Sequence, residues 1–198
     1  IKSIEENSLK LADSVFGQTV SGKWVYESEV IDYVEEDLFM IPDLSTIRRI
    51  PWNKEPTAQI ICDLQYSDNS PSEIAPRQVL KKIINLLEKE EMEAVVAPEL
   101  EFYLCEQNLD PDLPLKTPVG KSGRRESGSR VFGIDAVNEF DTLTDDIYDY
   151  CEILKIGVDT LIHESGPSQI EINLNHGDPL ALADQAFMFK RAVRQVAL

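Results

Sequence analysis

Two pairs of glutamates occur at spacings that bring carboxylates together on β-strands. Glu99 and Glu101 lie two residues apart within an apolar segment, residues 95–104, so both side chains point to the same face of a strand. Neighbouring carboxylates repel one another, and burial raises their pKa values unless a cation compensates the charge. The first pair therefore indicates either a cation site or the solvent-exposed face of an edge strand.

The second pair, Glu164 and Glu171, flanks the segment Ser165-Gly166-Pro167-Ser168, which is typical of a tight turn. Strands on either side of this turn fold back as a hairpin and bring the two carboxylates close together. The alternation of the return strand predicts an apolar core face and a polar face, which is either a site lining or a solvated outer face. The core face consists of Ile170, Ile172 and Leu174, and the polar face of Gln169, Glu171, Asn173 and Asn175.

Ligands that are all oxygen atoms favour hard cations, so the glutamates predict Mg²⁺ or Mn²⁺. His163 and His176 lack a zinc-ligand spacing, and His163 is expected to support the site or the fold rather than to bind a metal. The three cysteines are odd in number and far apart, which predicts reduced core thiols in a cytoplasmic protein. They are Cys62, Cys105 and Cys151.

The composition excludes several classes of protein. The chain has 198 residues, with 36 acidic and 19 basic side chains and a net charge of −17, so we expect no nucleic-acid or anionic-membrane partner. No apolar run is long enough for a membrane span, and no signal peptide is recognisable. The chain lacks an initial Met, and its last helix has no stop signal. We therefore expect it to be truncated at both ends.

The pattern along the chain changes at a polar, Pro-containing linker, residues 67–76. Mixed, strand-rich sequence precedes the linker, whereas helices and strands alternate after it. The long segment 106–130 has no periodicity and is predicted to be a loop. Predicted strands cover residues 23–31, 57–64, 94–104, 158–163 and 169–175, and predicted helices run over 76–91, from a cap at Thr142 or Thr144 to about 156, and from Asp178-Pro179 onward.

Together these residues resemble the glutamine synthetase family. Pro98-Glu99-Leu100-Glu101-Phe102 resembles the E-x-E-F metal strand of that family, and residues 163–171 resemble its H-E-x-x-x-x-Q-x-E hairpin. Within the family the chain is more similar to γ-glutamylputrescine synthetases and related γ-glutamyl-polyamine ligases. That similarity rests on residues 50–52, 55–59, 136–141, 146–151, 171–173, 176–180 and 189–191.

The resemblance implies an ATP-dependent ligase. In this family ATP phosphorylates the γ-carboxylate of L-glutamate, and an amine then displaces phosphate from the acyl phosphate. Glu101, Glu164 and Glu171 match the ligands of the metal that organises the glutamate and amine sites, while Glu99 matches a ligand of the second metal, which orients the ATP phosphates. Glu164 also borders the amine pocket. The expected amine is putrescine or another polyamine.

The resemblance also assigns three further positions and leaves alternatives open. Asp159 matches a nucleotide-binding position, Asp13 is the candidate for the Asp that deprotonates the amine, and Phe132 occupies a substrate-pocket position where relatives have Tyr. Thr19 stands where relatives carry the proton-abstracting Asp. These differences leave open an ammonia-using glutamine synthetase, or a catalytically silent relative with a regulatory or structural role.

The fold class that the resemblance implies is α+β. Residues 1–70 are expected to form a small N-terminal β-grasp-like domain that is incomplete at its start. Residues 71–198 are expected to form the first part of a catalytic domain, with a curved antiparallel sheet flanked by helices. The family assembles as a homo-oligomer, a dodecamer of two hexameric rings. Its remaining metal and phosphate ligands match positions beyond Leu198, so the chain alone is expected to be inactive.

Overall fold

The structure is a computed structural model that describes residues 9–25 and 35–198. Its contacts divide the chain into two compact units, residues 1–47 with 58–94 and residues 48–57 with 95–198. The predicted domain boundary at residue 70 stays a prediction. In chain order the strands and helices are β1 (Lys10–Ala12), β2 (Asp37–Pro42), β3 (Arg48–Arg49), β4 (Ala58–Gln59), β5 (Cys62–Gln65), α1 (Pro76–Lys89), β6 (Glu99–Tyr103), α2 (Ile134–Asn138), α3 (Asp141–Leu154), β7 (Val158–His163), β8 (Gln169–Leu174) and α4 (Pro179–Val196).

The first unit contains a three-stranded antiparallel sheet in the order β1-β2-β5 and the helix α1. Its buried core is small, and partly buried side chains from β1, from the 3-10 helix after β1, from β2 and from the end of β5 pack against it. The predicted β-grasp topology of this unit stays a prediction. The core residues are Leu38, Leu64 and Ala75, and the side chains packed against them are Leu11, Phe16, Met40 and Tyr66.

The second unit is built on a three-stranded antiparallel sheet in the order β6-β8-β7, so β8 is the central strand. The predicted core face of β8 is confirmed, because Ile170, Ile172 and Leu174 are all almost completely buried. The ring of Phe102 on β6 lies 6.5 Å from the ring of Phe189 on α4. Since one face of the sheet is buried in this way, the alternating side chains of β6 and β8 are left on the other face.

The two long helices of the second unit, α3 and α4, were predicted, and one of their two predicted caps is confirmed. The Asp178 carboxylate accepts the Ala181 N–H at 2.8 Å and caps α4, as predicted. The predicted Thr cap of α3 is wrong, because α3 begins at Asp141 and the hydroxyl of Thr144 donates to the Asp141 carbonyl oxygen. The short helix α2 ends immediately before α3, so the chain enters α3 without an extended residue whose side chain could cap it.

Several predicted elements differ in length from the observed ones. The strand predicted over 94–104 is shorter, because β6 covers only Glu99–Tyr103 and Val96 makes an isolated bridge to Gly177. The strand predicted over 23–31 lies largely outside the described residues. The segment 106–130 forms no helix and no strand longer than an isolated bridge, as predicted.

The prediction of three core thiols is only partly confirmed. Cys151 is buried and Cys62 is half-buried, but Cys105 is exposed, because it lies after the end of β6, where the chain turns into the long loop. Burial raises the pKa of the Cys151 thiol to about 12, so this cysteine behaves as a small apolar side chain. None of the helices in the described ranges has the length and apolarity that crossing a membrane requires.

Candidate metal and substrate site

The predicted glutamates of β6 and β8 lie on one face of the sheet. Glu101 pairs directly with Glu171 across the two strands, and Glu99 pairs with Asn173 in the same register. Residues that are directly opposite in an antiparallel pair share a face and approach closely. Glu99 and Glu101 are exposed, whereas Glu171 has only 8 % of its surface accessible, because it lies on the central strand.

Glu164 reaches the same region through the hairpin that joins β7 to β8. The Glu164 N–H donates to the Gln169 carbonyl oxygen at 2.9 Å, and the Gln169 N–H donates to the Gly166 carbonyl oxygen at 3.1 Å. These two bonds close the tight turn that the Gly-Pro sequence predicted. The half-buried Glu164 carboxylate accepts the N–H of Ser165 at 3.1 Å.

The other three glutamates affect the pKa of the Glu171 carboxyl. Burial raises the pKa of the Glu171 carboxyl, and a hydrogen bond from Asn173 partly opposes this effect. The negative charges of Glu164, Glu99 and Glu101 raise the same pKa further. The other three predicted carboxylates therefore lie near enough to Glu171 to act on it electrostatically.

Gln169 orients Glu101 on this face. Its side-chain amide donates to the Glu101 carboxylate at 2.6 Å, and its amide oxygen accepts the Tyr103 hydroxyl at 3.0 Å and the Gly166 N–H at 2.8 Å. A Cβ atom at Gly166 would lie 2.6 Å from the Tyr103 ring and 2.8 Å from the Gln169 amide oxygen. A side chain at residue 166 would therefore displace the Tyr103 ring and the Gln169 amide from these positions.

His163 is completely buried at the end of β7, directly before Glu164. Its Nδ1 lies 2.8 Å from the Glu164 carbonyl oxygen, which can only accept, so Nδ1 carries a hydrogen. Its Nε2 lies 2.9 Å from a carboxylate oxygen of Glu126. His163 thus supports the hairpin.

Two residues near the site, Glu126 and Tyr103, were not predicted from the sequence. Glu126 comes from the long loop, and the pattern of its neighbours carries no signal, because its partners His163 and Ser168 lie 37 and 42 residues away. Tyr103 could have been found, because it follows Glu99 and Glu101 at the same two-residue spacing.

The other predicted site residues occupy three different places. Phe132 is 72 % exposed and donates its N–H to the His163 carbonyl oxygen at 2.9 Å, which places its backbone beside the hairpin. Asp159 is exposed and lies where a register shift interrupts the pairing of β7 with β8. Asp13 belongs to the first unit, where its buried carboxylate accepts the Glu36 N–H at 3.2 Å. The predicted roles of all three stay predictions.

The donor chemistry of the face fits a hard cation. Its donors are carboxylate oxygens, and the buried Oδ1 of Asn173 has no hydrogen-bond partner within the described ranges. No three His, Cys, Asp or Glu side chains of residues 9–25 and 35–198 are arranged as a ligand set for one ion. Glu101 is turned toward Gln169, and Glu164 toward the Ser165 amide. The assignment of ions to individual glutamates therefore stays a prediction.

Known proteins with similar sequences are ligases that act on glutamate or are glutamine synthetases. The γ-glutamylputrescine synthetase of Escherichia coli is 31 % identical over 187 residues, which cover 93 % of this chain and 40 % of that protein. The glutamate–isopropylamine ligase of a Pseudomonas species is 30 % identical, over 81 % of this chain and 34 % of that protein. The glutamine synthetase of Methanocaldococcus jannaschii is 31 % identical, over 89 % of this chain and 38 % of that protein. The chain thus spans about two fifths of the length of these relatives.

Solved structures support the same fold. A complex of GmaS with ADP superposes with a TM-score of 0.73 at 22 % identity, covering 99 % of this chain and 41 % of that one. A glutamine synthase homologue superposes with a TM-score of 0.76 at 18 % identity, covering 99 % of this chain and 43 % of that one. The predicted α+β class with antiparallel sheets is therefore confirmed. Residues 73–198 match the family model of the glutamine synthetase catalytic domain, and the chain belongs to the glutamine synthetase family.

Proposed function

We propose that the protein is an ATP-dependent ligase that joins an amine to the γ-carboxylate of L-glutamate. The observation that carries this proposal is the shared face of four carboxylates, Glu99, Glu101, Glu164 and Glu171, in a chain of the glutamine synthetase family. A buried carboxylate, Glu171, that lies close to three others is costly without a cation, so the group fits a site for metal ions and a cationic amine better than a purely structural role.

The reaction has two chemical steps. In the first, the γ-phosphoryl group of ATP is transferred to an oxygen of the glutamate γ-carboxylate, and ADP leaves. In the second, the amine nitrogen attacks the acyl carbon, the bond from that carbon to the phosphate oxygen breaks, phosphate leaves, and the nitrogen loses a proton. Both steps require that charged groups be held close together and shielded from water.

The glutamates divide between two metal ions in this proposal. Glu101, Glu164 and Glu171 would hold one ion, and Glu99 would contribute to a second, either Mg²⁺ or Mn²⁺. When bound, such ions neutralise charge on the phosphates and on the acceptor carboxylate. Gln169 has a supporting role, because its hydrogen bond to Glu101 fixes the orientation of that carboxylate.

The amine site is proposed to lie beside Glu164. Free amines are protonated near neutral pH, and a carboxylate attracts and orients the resulting cation. The nitrogen must lose a proton before it attacks, and Asp13, supplied by a neighbouring subunit as the family resemblance implies, stays the candidate for the group that accepts it. Phe132 is proposed to line the pocket, because its backbone is bonded to His163 next to Glu164. Asp159 is proposed to contact the nucleotide.

Putrescine or another polyamine is the first candidate amine, and ammonia is the second. Relatives of this chain include a γ-glutamylputrescine synthetase and a glutamate–isopropylamine ligase, which supports an organic amine. A glutamine synthetase is equally similar at 31 % identity, which supports ammonia. We further propose a cytoplasmic homo-oligomer, a dodecamer of two hexameric rings, as is usual in the family.

The test is phosphate release by the intact protein with ATP, L-glutamate and Mg²⁺ or Mn²⁺, in parallel with putrescine, isopropylamine and ammonia. We expect phosphate release to depend on an added amine, and mass spectrometry of the product to show the γ-glutamyl amide. Release with ammonia alone would establish a glutamine synthetase instead. No amide with any of the three amines, from folded protein that binds ATP, would refute the ligase proposal.

A further inference from the structure

Glu126 is a buried acid that the proposed chemistry does not use. It comes from the long loop, yet its side chain is only 8 % exposed. One of its oxygens, Oε2, lies 2.9 Å from His163 Nε2 and accepts the Ser168 N–H at 2.6 Å. His163 is the last residue of β7, and Ser168 directly precedes β8. One carboxylate oxygen therefore joins both strands of the hairpin.

The segment 126–132 begins at Glu126 and ends at Phe132. Like Glu126, Phe132 is bonded to His163. The N–H of Phe132 donates to the His163 carbonyl oxygen at 2.9 Å. Phe132 and Ser168 both have a φ of 59°, in the left-handed region that residues other than glycine seldom adopt. Such conformations persist where surrounding contacts impose them, and here the contacts are those of Glu126 and His163.

The backbone of Glu164 is hydrogen-bonded through both its carbonyl oxygen and its N–H. Its carbonyl oxygen accepts the His163 Nδ1–H at 2.8 Å, and its N–H donates to the Gln169 carbonyl oxygen at 2.9 Å. Without Glu126, the His163 ring would lose the partner that fixes its orientation, and the Ser168 N–H would be buried without an acceptor. The position of the Glu164 carboxylate depends on both.

The second oxygen of Glu126 makes no comparable contact. Oε1 is buried and has no hydrogen-bond partner among the described residues, and the Arg130 Nε atom lies 3.9 Å from it, beyond hydrogen-bonding distance. The two short hydrogen bonds of the carboxylate both go to the hairpin, whereas its ion pair with Arg130 in the loop is long. The carboxylate is therefore oriented mainly by the hairpin.

We propose that Glu126 is a positioning residue for the amine site, which acts through His163 and the Ser168 amide to place Glu164 and the backbone of Phe132. The inference rests on the proposed function, because it assigns Glu164 to the binding of the amine and of a metal ion. It adds a partner outside the sheet, supplied by the loop 106–130. The loop thereby becomes part of the amine site.

The test compares Glu126→Ala and Glu126→Gln with the unchanged protein, in the intact form. We expect Glu126→Ala to raise the KM for the amine by about tenfold or more and to weaken Mn²⁺ binding by a similar factor, as loss of supporting partners usually does. The KM for ATP should change less than twofold. Glu126→Gln should recover most of the loss, because its amide oxygen can take the place of Oε2, the one oxygen that contacts both the Ser168 N–H and His163 Nε2.

Glu106→Gln is the matched control. Glu106 belongs to the same loop and forms an ion pair with Arg125 at 2.7 Å, and none of its hydrogen bonds or ion pairs within the described ranges reaches the hairpin. This variant should leave the amine KM and the Mn²⁺ affinity within twofold of the unchanged protein. An equal effect of Glu106→Gln would show that general loosening of the loop explains the result, and it would overturn the positioning role.

Hydrogen–deuterium exchange read by mass spectrometry provides a measurement that is independent of activity. The peptide that contains Ser168 should exchange much faster in Glu126→Ala, while peptides from α3 should be unchanged. If Glu126→Ala does not fold, the same comparison with Glu126→Gln applies, with a smaller increase expected. Unchanged exchange at Ser168 in a folded variant would overturn the inference.

The two proposals fail in distinguishable ways. An unchanged protein that forms no γ-glutamyl amide refutes the proposed function, whereas the Mn²⁺ affinities and the exchange rates still decide whether Glu126 supports Glu164. An active protein whose amine KM is insensitive to Glu126→Ala refutes the inference and leaves the function standing. A uniform loss that affects ATP and amine alike would also refute it.

Discussion

At the scale of single residues, Glu171 is the most costly of the four glutamates to keep charged. It is buried on the central strand, and its pKa is raised by burial and by the charges of Glu164, Glu99 and Glu101. A raised pKa means that the folded protein disfavours the ionised carboxylate, so without a cation the charge at position 171 works against folding. A bound divalent ion would reverse this balance.

Replacement of Glu171 by Gln should therefore have opposite effects on stability and on metal binding. Gln has nearly the same shape but no charge, so the metal-free intact protein should be at least as stable, with an equal or higher Tm in calorimetry. Mn²⁺ affinity, measured by the paramagnetic signal of the free ion, should fall by about tenfold or more, because a ligand is lost.

Glu152→Gln is the control for this prediction, because Glu152 lies on the exposed side of α3. It should change neither the Tm nor the Mn²⁺ affinity. Unchanged Mn²⁺ affinity in Glu171→Gln would contradict the assignment of Glu171 as a metal ligand. A large fall in the Tm of the metal-free variant would contradict the idea that the charge is unfavourable there.

At the scale of elements, the helix α1 is joined to β5 and to the turn after β2 by Arg77. Its guanidinium binds the carboxylates of Asp63 and Asp43, each at 2.6 Å, and its side chain is 13 % exposed. A hydrogen bond from Ser45 and the Arg77 guanidinium together hold the pKa of Asp43 below its ordinary value of 3.8. Lys81 on the same helix also binds Asp63, so Asp63 has two cationic partners, whereas Arg77 is the cation that Asp43 contacts.

Removal of Arg77 should destabilise the protein. Arg77→Met leaves the Asp43 carboxylate without a cationic partner and Asp63 with Lys81 alone, so the free energy of unfolding in urea should fall by about 2 kcal/mol. The control is Lys82→Met on the same helix, since Lys82 and Glu73 form an exposed pair at 3.8 Å. That change should cost less than about 1 kcal/mol. Equal effects of the two substitutions would contradict the importance of the Arg77 network.

The same network predicts a dependence of stability on pH. The pKa of Asp43 is lower in the folded chain than its ordinary value, so its contribution is fully present above that value and is lost as the pH falls through the folded pKa. The difference in stability between the unchanged protein and Asp43→Asn should therefore shrink on acidification below about pH 4. A constant difference from pH 7 to pH 2 would contradict this.

Local periodicity was enough to predict the strands and helices that carry the site. The two-residue alternation placed Glu99 with Glu101 and gave the core face of β8, and the Asp178-Pro179 pair gave the start of α4. The start of α3 was mispredicted, because the preceding helix α2 already sets the backbone there. Contacts between the long loop and the hairpin depend on the folded chain and leave no periodic signal.

At the scale of the whole molecule, the main physical feature is the excess of negative charge. The chain carries 36 acidic against 19 basic residues, so its field attracts cations and repels anions over distances comparable with the Debye length. For the proposed function this field favours the approach of an amine, which is a cation near neutral pH, and disfavours glutamate and ATP. The proposed site beside Glu164 lies within this field.

Salt should therefore affect the substrates differently. Raising the ionic strength from about 0.02 M to about 0.5 M shortens the Debye length from roughly 20 Å to roughly 4 Å. Because the electrostatic energy of an ion scales with its charge, the KM for putrescine, a dication, should rise with salt about twice as steeply on a logarithmic scale as the KM for ammonium. The KM for glutamate should stay constant or fall. Equal shifts for the two amines would mean that the charge of the whole chain does not guide the amine, and the attraction would then be confined to the carboxylates around Glu164.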